Sequence, residues 1–474
     1  MHHPPSGHSV PWAILGHRLL LILLIALVWS LAARANPDQT DLQAALDQRV
    51  ELEMHQSLLV AVTQKGQRSF LTAGQLPNTG QAPTPETLFH LGSVGKPFTA
   101  ILTLTSPLDL KAPVTQYLPE GIQVRTIKDK PAPSVGSVAI HIAGFPRIPP
   151  DFDFSSPDRG YESWDRARLF EYMSSDAFAM RHFAHSTAPE GFRFEYSDLG
   201  YGLLGTIVEE VNQAKFETLF KQRVVGPLGL KNTFVAVPPS RMSDLAPGFR
   251  GVDPAPSFST PQLPGIGTGV SNANDLLTVL EAAMLQKKTP LARVFAAMMK
   301  PREPTPNEST FAGYGWQIST TKDGKDVLIW QSGMAGGHAA FIGFSPIQQK
   351  GVVVLSGTAR PVEAIGFHAL APSQFELPAF GPFVNVDRRQ LARLAGTYRI
   401  RPGRELQVIP EGGHLYVRMS DGTRERIYAK ASDTFVFSEG DSRLQFEGAE
   451  SGKARELVIA SQQERLRARR VGTN

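Results

Sequence analysis

The chain has 474 residues, of which 42% are hydrophobic and 19% charged, a balance that is usual for a globular protein of two or three domains. Its formal net charge is +4, and because no recognition motif accompanies this weak positive charge, nucleic-acid binding has no support. The chain has no cysteine, which excludes disulfides, thiolate catalysis and zinc sites with cysteine ligands. Its histidines form no H-x-x-x-H pair with a nearby glutamate, so we expect no metal and no other cofactor.

The N-terminus has the layout of a secretory signal. Arg18 precedes an unbroken apolar run from Leu19 to Trp29, and Ala33-Arg34-Ala35 then forms a cleavage site of the A-x-A type. The run is short for a membrane span, and an uncleaved N-terminal anchor is the alternative interpretation. We therefore expect residues 1–35 to be a signal peptide cleaved after Ala35, a periplasmic or secreted protein, and no stable membrane span after cleavage.

The first part of the mature chain alternates between helical and strand patterns. Residues 36–55 are predicted to be helical, and the alternating runs on either side of Lys65-Gly66 predict a β-hairpin. A helix is expected from Ser93 to Pro107, since Pro97 lies in its first turn, where a missing N–H costs nothing.

Residues 112–190 indicate loops and short helices, and residues 201–225 form one amphipathic helical stretch. A second such helix follows Asn272 or Asn274, either of which could cap it. Four β-rich runs come next: "GYGWQIST", "DVLIWQSG", "AAFIGFSP" and "GVVVLSG". Strands at both ends of this segment, with helices between them, predict one antiparallel sheet with helices packed on it, an α+β domain over residues 36–375.

The C-terminal part of the chain changes to a purely β pattern. A segment rich in proline and phenylalanine, residues 376–387, is predicted to be a linker. Eight evenly spaced short strands with turn residues between them then predict an all-β sandwich or barrel over residues 388–474. We expect this region to fold separately and to lack the active site, because it contains no catalytic set.

A candidate nucleophile lies in "LFHLGSVGKPFTA", residues 88–100. A serine before an apolar run is usually a helix cap. Here, however, Lys96 follows Ser93 at i+3 on the same helical face, and S-x-x-K is the arrangement of serine β-lactamases and penicillin-binding proteins when companion motifs accompany it. The companions are Tyr196-Ser197-Asp198 and Gln331-Ser332-Gly333. Four flanking stretches occur in the expected order: "LDLKAPVTQYLPE", "HIAGFPR", "VVGPLGLKNTF" and "GIGTGVSNANDLL".

With these motifs, residues 40–375 resemble the serine β-lactamase-like, penicillin-recognising family, in its class C β-lactamase, esterase and D-amino-acid peptidase branch. The C-terminal region resembles the small β-barrel appendage of some members. The resemblance implies the β-lactamase/transpeptidase-like fold, an antiparallel sheet with helices on both sides. It also implies a small-molecule or peptide substrate, and it assigns the site as follows: Ser93 as the nucleophile, Lys96 and Tyr196 sharing the base, the backbone N–H groups of Ser93 and Met334 as the oxyanion hole, and Asp198, Gln331, Ser332 and Gly333 as further site residues.

Elementary chemistry supports the shared base. A tyrosine has a free pKa of about 10, so it acts as a base near neutral pH only if a neighbouring cation stabilises its phenolate. Lys96 supplies that cation, and the two groups would titrate as a coupled pair. The alternative for Tyr196 is a buried core tyrosine, and for His141 we expect a structural role.

Three features depart from the family pattern. Asp198 stands where the family has asparagine, which removes an N–H donor and adds a charge; alternatively it is only a helix cap. Gln331 stands where the family has lysine or histidine, so the charge that would anchor a substrate carboxylate is missing; alternatively it is a strand residue without a role. The stretch from Lys96 to Pro107 is about one helical turn shorter than usual.

The sequence therefore favours an exported serine hydrolase that cleaves an ester or amide through an acyl-enzyme on Ser93. One alternative is a class C-type β-lactamase or a D-Ala-D-Ala carboxypeptidase. The other is a non-catalytic protein that binds a cell-wall peptide. The intact Ser93, Lys96 and Tyr196 argue against a non-catalytic protein, and the missing cation at Gln331 argues against a β-lactamase.

Overall fold

A computed structural model describes residues 37–471 except 129, 153–160, 162, 187–192, 256–261, 268, 420–421, 439–440, 450–451 and 463. The expected signal peptide, residues 1–35, lies outside the described residues. The described residues from 46 onward form one compact unit, which contains both the central sheet and the C-terminal barrel.

The helices are α1 Pro37–Glu51, α2 Lys96–Leu104, α3 Val135–Ala139, α4 Arg166–Met173, α5 Asp176–Ser186, α6 Asp198–Asn212, α7 Phe216–Phe220, α8 Gly226–Leu228, α9 Ala273–Ala283, α10 Ala292–Met298, α11 Glu363–Leu370 and α12 Arg388–Leu394. Short 3₁₀ helices span Gly92–Gly95, Val114–Tyr117 and Pro239–Asp244, and a π-helical turn spans Lys221–Val225.

The strands are β1 Ser57–Gln64, β2 Gln67–Gly74, β3 Phe89–His90, β4 Phe249–Arg250, β5 Asp253–Pro254, β6 Val270–Ser271, β7 Glu303–Pro304, β8 Thr310–Ala312, β9 Gln317–Thr320, β10 Val327–Ala335, β11 His338–Ser345, β12 Lys350–Ser356, β13 Gly396–Arg401, β14 Arg404–Glu411, β15 His414–Arg418, β16 Arg424–Ala429, β17 Thr434–Val436, β18 Arg443–Glu447, β19 Glu456–Ala460 and β20 Arg465–Val471.

The central sheet is antiparallel and has eight strands in the order β2-β1-β12-β11-β10-β9-β8-β7. Every residue of β11 is buried, as expected for a strand covered on both faces. Ile342 belongs to the same core as Leu280 of α9, whereas Phe341 faces α11 so closely that a methyl group on Gly366 would lie 2.3 Å from its ring. Helices thus cover both faces of the sheet, which confirms the predicted α+β fold.

Most of the predicted elements are present. The hairpin turns at Lys65 and Gly66, which both have positive φ, and Asn272 caps α9 by accepting from the backbone N–H of Asp275. The single helix predicted for residues 201–225 is wrong, because the stretch consists of α6, α7 and the turn Lys221–Val225. α6 ends where Gln213 adopts a left-handed conformation.

The C-terminal region forms a closed barrel of eight antiparallel strands, β13 to β20, which confirms the predicted small β-barrel. Its core is filled by side chains, including the fully buried Tyr398, Phe435 and Phe446, and it forms a cluster separate from the core of the sheet region. The barrel is therefore packed, and the catalytic motifs lie outside it.

Candidate active site

Ser93 lies in a 3₁₀ turn, Gly92–Gly95, that leads directly into α2. No side chain caps either the turn or the helix, so Ser93 is not a helix cap. The hydroxyl of Ser93 instead accepts a hydrogen bond from the ammonium of Lys96, with 3.0 Å between Oγ and Nζ. Pro97 follows at the start of α2, where the helix does not need its N–H.

Lys96 is fully buried, yet each of its three N–H groups has an acceptor. Besides Ser93 Oγ, its Nζ donates to the carboxylate of Asp198 at 2.5 Å and to the carbonyl of Ile266 at 2.8 Å. Because a buried lysine with three acceptors satisfies all its donors, this geometry belongs to the charged ammonium form.

The charge state of Lys96 is set by two opposing effects. Burial lowers its pKa, but the Asp198 carboxylate, with a smaller contribution from Tyr196, outweighs burial and raises the pKa above the usual value for lysine. Lys96 is therefore an ammonium at neutral pH, and it must lose a proton before it can accept one from Ser93.

The backbone of strand β10 lies directly against the backbone of the turn that contains Ser93. A methyl group on Gly333 would lie 2.3 Å from the backbone nitrogen of Ser93, and one on Gly92 would lie 2.6 Å from the backbone nitrogen of Met334. Real Cβ atoms do not make such contacts, so only glycine permits this approach. The predicted oxyanion donors, the N–H groups of Ser93 and Met334, thus belong to two segments in direct contact.

Two further glycines complete this close packing around Lys96. Gly267, with φ of +115°, approaches the Cα of Ser93, and a methyl group there would lie 3.0 Å from Lys96 Nζ. Gly315, with φ of +75°, lies against the backbone of Pro97 and the carbonyl of Lys96. The sequence interpretation missed both, although "GIGTG" and "GYG" carry the signal of a close backbone approach.

Tyr196 lies beside Lys96 with its ring centroid 4.9 Å from the ammonium. Its hydroxyl is buried and makes no hydrogen bond of standard geometry within the described part of the chain, so the contact with Lys96 that the structure shows is that of the ammonium with the ring. The Arg147 guanidinium is 6.0 Å from the same ring. Tyr196 is therefore flanked by two cations, of which the sequence indicated only Lys96.

His141 holds Tyr196 in place. Their rings are stacked with centroids 4.5 Å apart, and His141 Nδ1 accepts a hydrogen bond from the backbone N–H of Ser197 at 3.0 Å. Burial, and then the charge of Lys96, keep the pKa of His141 well below its usual value. The imidazole is therefore neutral with its proton on Nε2, and it takes the structural position that the sequence suggested.

Asp198 is not the cap of the helix that it begins. Ser197 caps α6 by accepting from the backbone N–H of Gly200. One carboxylate oxygen of Asp198 pairs with Lys96, and the other accepts from the hydroxyl of Tyr161 at 2.8 Å. Burial and the charge of Asp198 raise the pKa of Tyr161, so this phenol stays protonated and donates. Sequence reasoning missed Tyr161, which lies 37 residues away in a loop.

The side chains of Gln331 and Ser332 both make hydrogen bonds to groups other than Ser93. Gln331 is 2% exposed, donates its amide to the carbonyl of Gly315 at 3.1 Å, and accepts from the backbone N–H of Ser332. Ser332 donates its hydroxyl to Glu363 of α11 at 2.6 Å. Gln331 thus holds the Gly315 loop against α2. By contrast, the exposed side chain of Met334 lies on the open part of β10.

The structure thus brings Ser93, Lys96, Tyr196 and Asp198 into one cluster, with β10 beside it. β9 pairs with residues 327–330 of β10, and within the described chain residues 331–335 have a partner strand on one side only, β11. Among the described residues there is no group of three or more side chains that could hold a metal ion.

Comparison with known proteins identifies the family. The family model for Beta-lactamase matches residues 42–370. This chain belongs to the beta-lactamase family. A Beta-lactamase of Pseudomonas fluorescens is 27% identical over 368 residues, which cover 68% of this chain and 95% of that protein. The D-alanyl-D-alanine-carboxypeptidase/endopeptidase AmpH of Escherichia coli (strain K12) is 24% identical over 318 residues, covering 63% of this chain and 78% of that protein.

Solved structures share the fold. A class C beta lactamase from Rhodobacter sphaeroides has a TM-score of 0.58 at 24% identity, covering 70% of this chain and 99% of that chain. The octameric penicillin-binding protein homologue from Pyrococcus abyssi has a TM-score of 0.60 at 21% identity and covers 91% of this chain and 100% of that chain. The β-lactamase/transpeptidase fold is thus shown, and as a family member the protein is a serine hydrolase that works through an acyl-enzyme.

Proposed function

We propose that this protein is an exported hydrolase that cleaves an ester or amide through an acyl-enzyme on Ser93. The observation that carries the proposal is the hydrogen bond of 3.0 Å from Lys96 Nζ to Ser93 Oγ, made by a lysine that is otherwise fully buried. A buried cation bonded to a serine hydroxyl places charge where a nucleophile must lose its proton.

In the proposed reaction, Lys96 and Tyr196 together take the proton of Ser93, and the Ser93 oxygen attacks the carbonyl carbon of the substrate. The backbone N–H groups of Ser93 and Met334 bind the oxyanion of the tetrahedral intermediate. The proton then passes to the leaving alcohol or amine, and water hydrolyses the acyl-enzyme by the same steps. The reactive form has one proton fewer than the ammonium–phenol form, so activity rises with pH as the coupled pair loses that proton.

The substrate is proposed to add its backbone to the open edge of β10. Within the part of the chain that the structure describes, residues 331–335 have no partner strand on the side away from β11, and an extended peptide-like chain can pair with such an edge. Gln331 offers no cation on that edge, and its amide is already bonded to Gly315. This favours substrates without a carboxylate beside the scissile bond over β-lactams, although the two curated relatives compared above are named for β-lactam or D-alanyl-D-alanine substrates.

Export is the remaining element of the proposal. It rests on the apolar run and the Ala33-Arg34-Ala35 cleavage motif. Among the described residues, no helix has both the length and the apolar character that crossing a bilayer requires. Comparison of the N-terminus of the purified mature protein with residue 36 tests the predicted cleavage directly.

Labelling with a fluorophosphonate and with a fluorescent penicillin tests the proposal, with Ser93→Ala as the control. Labelling by both probes, with slow turnover of the penicillin, is the expected result. Rapid turnover of the penicillin would support a β-lactamase instead. A folded protein that takes neither label would support the non-catalytic peptide-binding alternative.

A further inference from the structure

The turn that follows the proposed oxyanion strand is packed against a small hairpin. Gly336 and Gly337 join β10 to β11, two residues after Met334. A methyl group on Gly248 would lie 2.0 Å from the carbonyl oxygen of Gly336, and the backbone N–H of Phe249 donates to the carbonyl of Gly337 at 3.0 Å. Because this contact is made by backbone on both sides, the β4–β5 hairpin and the end of β10 cannot shift independently.

The other end of the same hairpin is bonded to the barrel. The backbone N–H of Val252 donates to the carbonyl of Arg424 at 3.0 Å, and a methyl group on Gly251 would lie 2.1 Å from that carbonyl oxygen. Asp253 then accepts from the backbone N–H of Arg424 at 2.8 Å and from its guanidinium at 2.9 and 2.7 Å. One carboxylate thus fixes both the backbone and the side chain of the first residue of β16.

The Asp253–Arg424 contact fixes the position of the hairpin on the barrel but adds little to the free energy of folding. Burial raises the pKa of Asp253, but the hydrogen bonds and charge of Arg424 outweigh burial and lower it, so the pair is charged at neutral pH. Both side chains are about a quarter exposed, and such pairs add little to folding stability. The barrel has a second anchor, in which Arg360 bonds Ser438 at 3.0 Å and pairs with Glu425. Loss of Asp253 should therefore leave the barrel docked.

We propose that Asp253 is a positioning residue through which the barrel supports the oxyanion hole. Arg424 holds the β4–β5 hairpin, the hairpin holds the Gly336-Gly337 turn, and the turn fixes the N–H of Met334 relative to Ser93. This inference rests on the proposed function. Oxyanion donors act by their position, and a misplacement of about 1 Å can cost about a hundredfold in rate, so a support that leaves fold and substrate binding intact can still affect turnover.

The test compares full-length Asp253→Ala with wild type and with Glu456→Gln, which breaks the ion pair of Glu456 with Arg467 within the barrel. For a neutral ester we expect Asp253→Ala to lower kcat by about tenfold while KM changes by less than about twofold. The ³¹P signal of the fluorophosphonate adduct on Ser93 should also shift, because it senses the hydrogen bonds to the phosphoryl oxygen. Asp253→Asn keeps an acceptor for the Arg424 N–H and should recover part of kcat.

Each outcome decides one of the two claims. Failure of wild type to label at Ser93 would refute the proposed function itself. Labelling at Ser93 with unchanged kcat and ³¹P signal in Asp253→Ala would overturn this inference alone, as would an equal loss of kcat in Glu456→Gln. If Asp253→Ala does not fold, Arg424→Gln replaces it in the test, because this variant removes the guanidinium but keeps the backbone N–H of residue 424. A loss of kcat and a shifted ³¹P signal would then support the inference, and unchanged values would overturn it.

Discussion

The sheet region and the barrel use the same residue types for different purposes. Around Ser93, glycines such as Gly92 and Gly333 have foreign backbone within 3 Å of the position a methyl group would take, whereas the barrel turn glycines Gly403 and Gly412 have nothing within 4 Å. The ion pair of Lys96 is buried, whereas that of Arg467 is more than half exposed on the arginine side. The residues named in the first region hold the candidate site together, whereas those named in the barrel complete turns and cover a surface.

Removal of the proposed nucleophile should have the largest effect and tests most strongly whether the Ser93 region is the reactive one. Ser93→Ala should lower kcat/KM by at least about ten-thousandfold, since loss of a nucleophile removes most of an enzyme's rate enhancement. Its thermal midpoint and circular dichroism should stay close to wild type, because among the described residues the Ser93 side chain makes a hydrogen bond only with Lys96. A purified, folded Ser93→Ala that retains more than a small fraction of wild-type activity would contradict the assignment.

A pair of glycine variants tests the two regions against each other. Gly333→Ala should lower kcat by about a hundredfold, because its methyl group would push β10 away from the Ser93 turn. Gly403→Ala has open space and should cost only about 1 kcal/mol of folding free energy, through its φ of +76°. Kinetics and thermal melts check both, and a Gly403→Ala as inactive as Gly333→Ala would remove the distinction.

The ion pair of Lys96 and Asp198 predicts how kcat/KM depends on pH. Because Asp198 raises the pKa of Lys96, Asp198→Asn should move the acidic limb of the kcat/KM profile to lower pH. Asp275→Asn is the matched control, since Asp275 also lies in the first turn of a helix but bonds to the backbone N–H groups of Lys231 and Asn232. If the acidic limb of the kcat/KM profile stays at the same pH in Asp198→Asn, the Asp198 carboxylate has only a structural role.

The same pair predicts a dependence of stability on pH. The folded-state pKa of Lys96 is raised, so the stability that it contributes is fully present below 10.5, the ordinary pKa of lysine, and is lost as pH rises through the folded value. Because Asp198→Asn removes the carboxylate that raises this pKa, the difference in free energy of unfolding between wild type and Asp198→Asn should be largest while Lys96 is protonated in both proteins and should shrink as the pH rises. Denaturant titrations at several pH values measure it, and a difference that grows at high pH would contradict the account.

The smallest expected effect concerns substrate charge. A matched pair of esters, with and without a carboxylate beside the scissile bond, should differ by about fivefold in kcat/KM in favour of the neutral ester, because a carboxylate that enters the site without a cation loses hydration and lies near the like charge of Asp198. The reason is Gln331, which is buried on β10 where the resemblance predicts a cation. A preference for the charged ester would show that another cation, with Arg147 the first candidate, binds it.

The two regions also differ in how far their sequence predicts them. The eight barrel strands follow from their short β-rich runs and turn residues, and in strands such as β18 the buried Leu444 and Phe446 alternate with exposed residues. The site, by contrast, is predicted only by the spacing of Ser93 and Lys96 together with the companion motifs at 196–198 and 331–333. Tyr161 could not be predicted, since its role depends on a contact across 37 residues that no local pattern encodes. The glycine-rich runs around Gly267 and Gly315 signal a close backbone approach, but they do not say which segment approaches.

The division into domains shows the same limit. The change of pattern after residue 387 predicts an independent C-terminal domain, and its separate core agrees with that proposal. The contacts of Asp253 and Arg360 with the barrel join segments more than 60 residues apart, so no local pattern could indicate them. Independent folding of residues 388–474 remains a prediction, and the Asp253 inference expects the two regions to act together.

The central claim is that the acyl group of the substrate is carried by Ser93. Acid quenching of the enzyme during turnover of a slow ester, followed by peptide mapping with mass spectrometry, measures this directly. We predict that the mass of the acyl group is found on the peptide that contains Ser93 and is absent from Ser93→Ala. An acyl group on a different residue, or full turnover with no acylated peptide at any time point, would contradict the account.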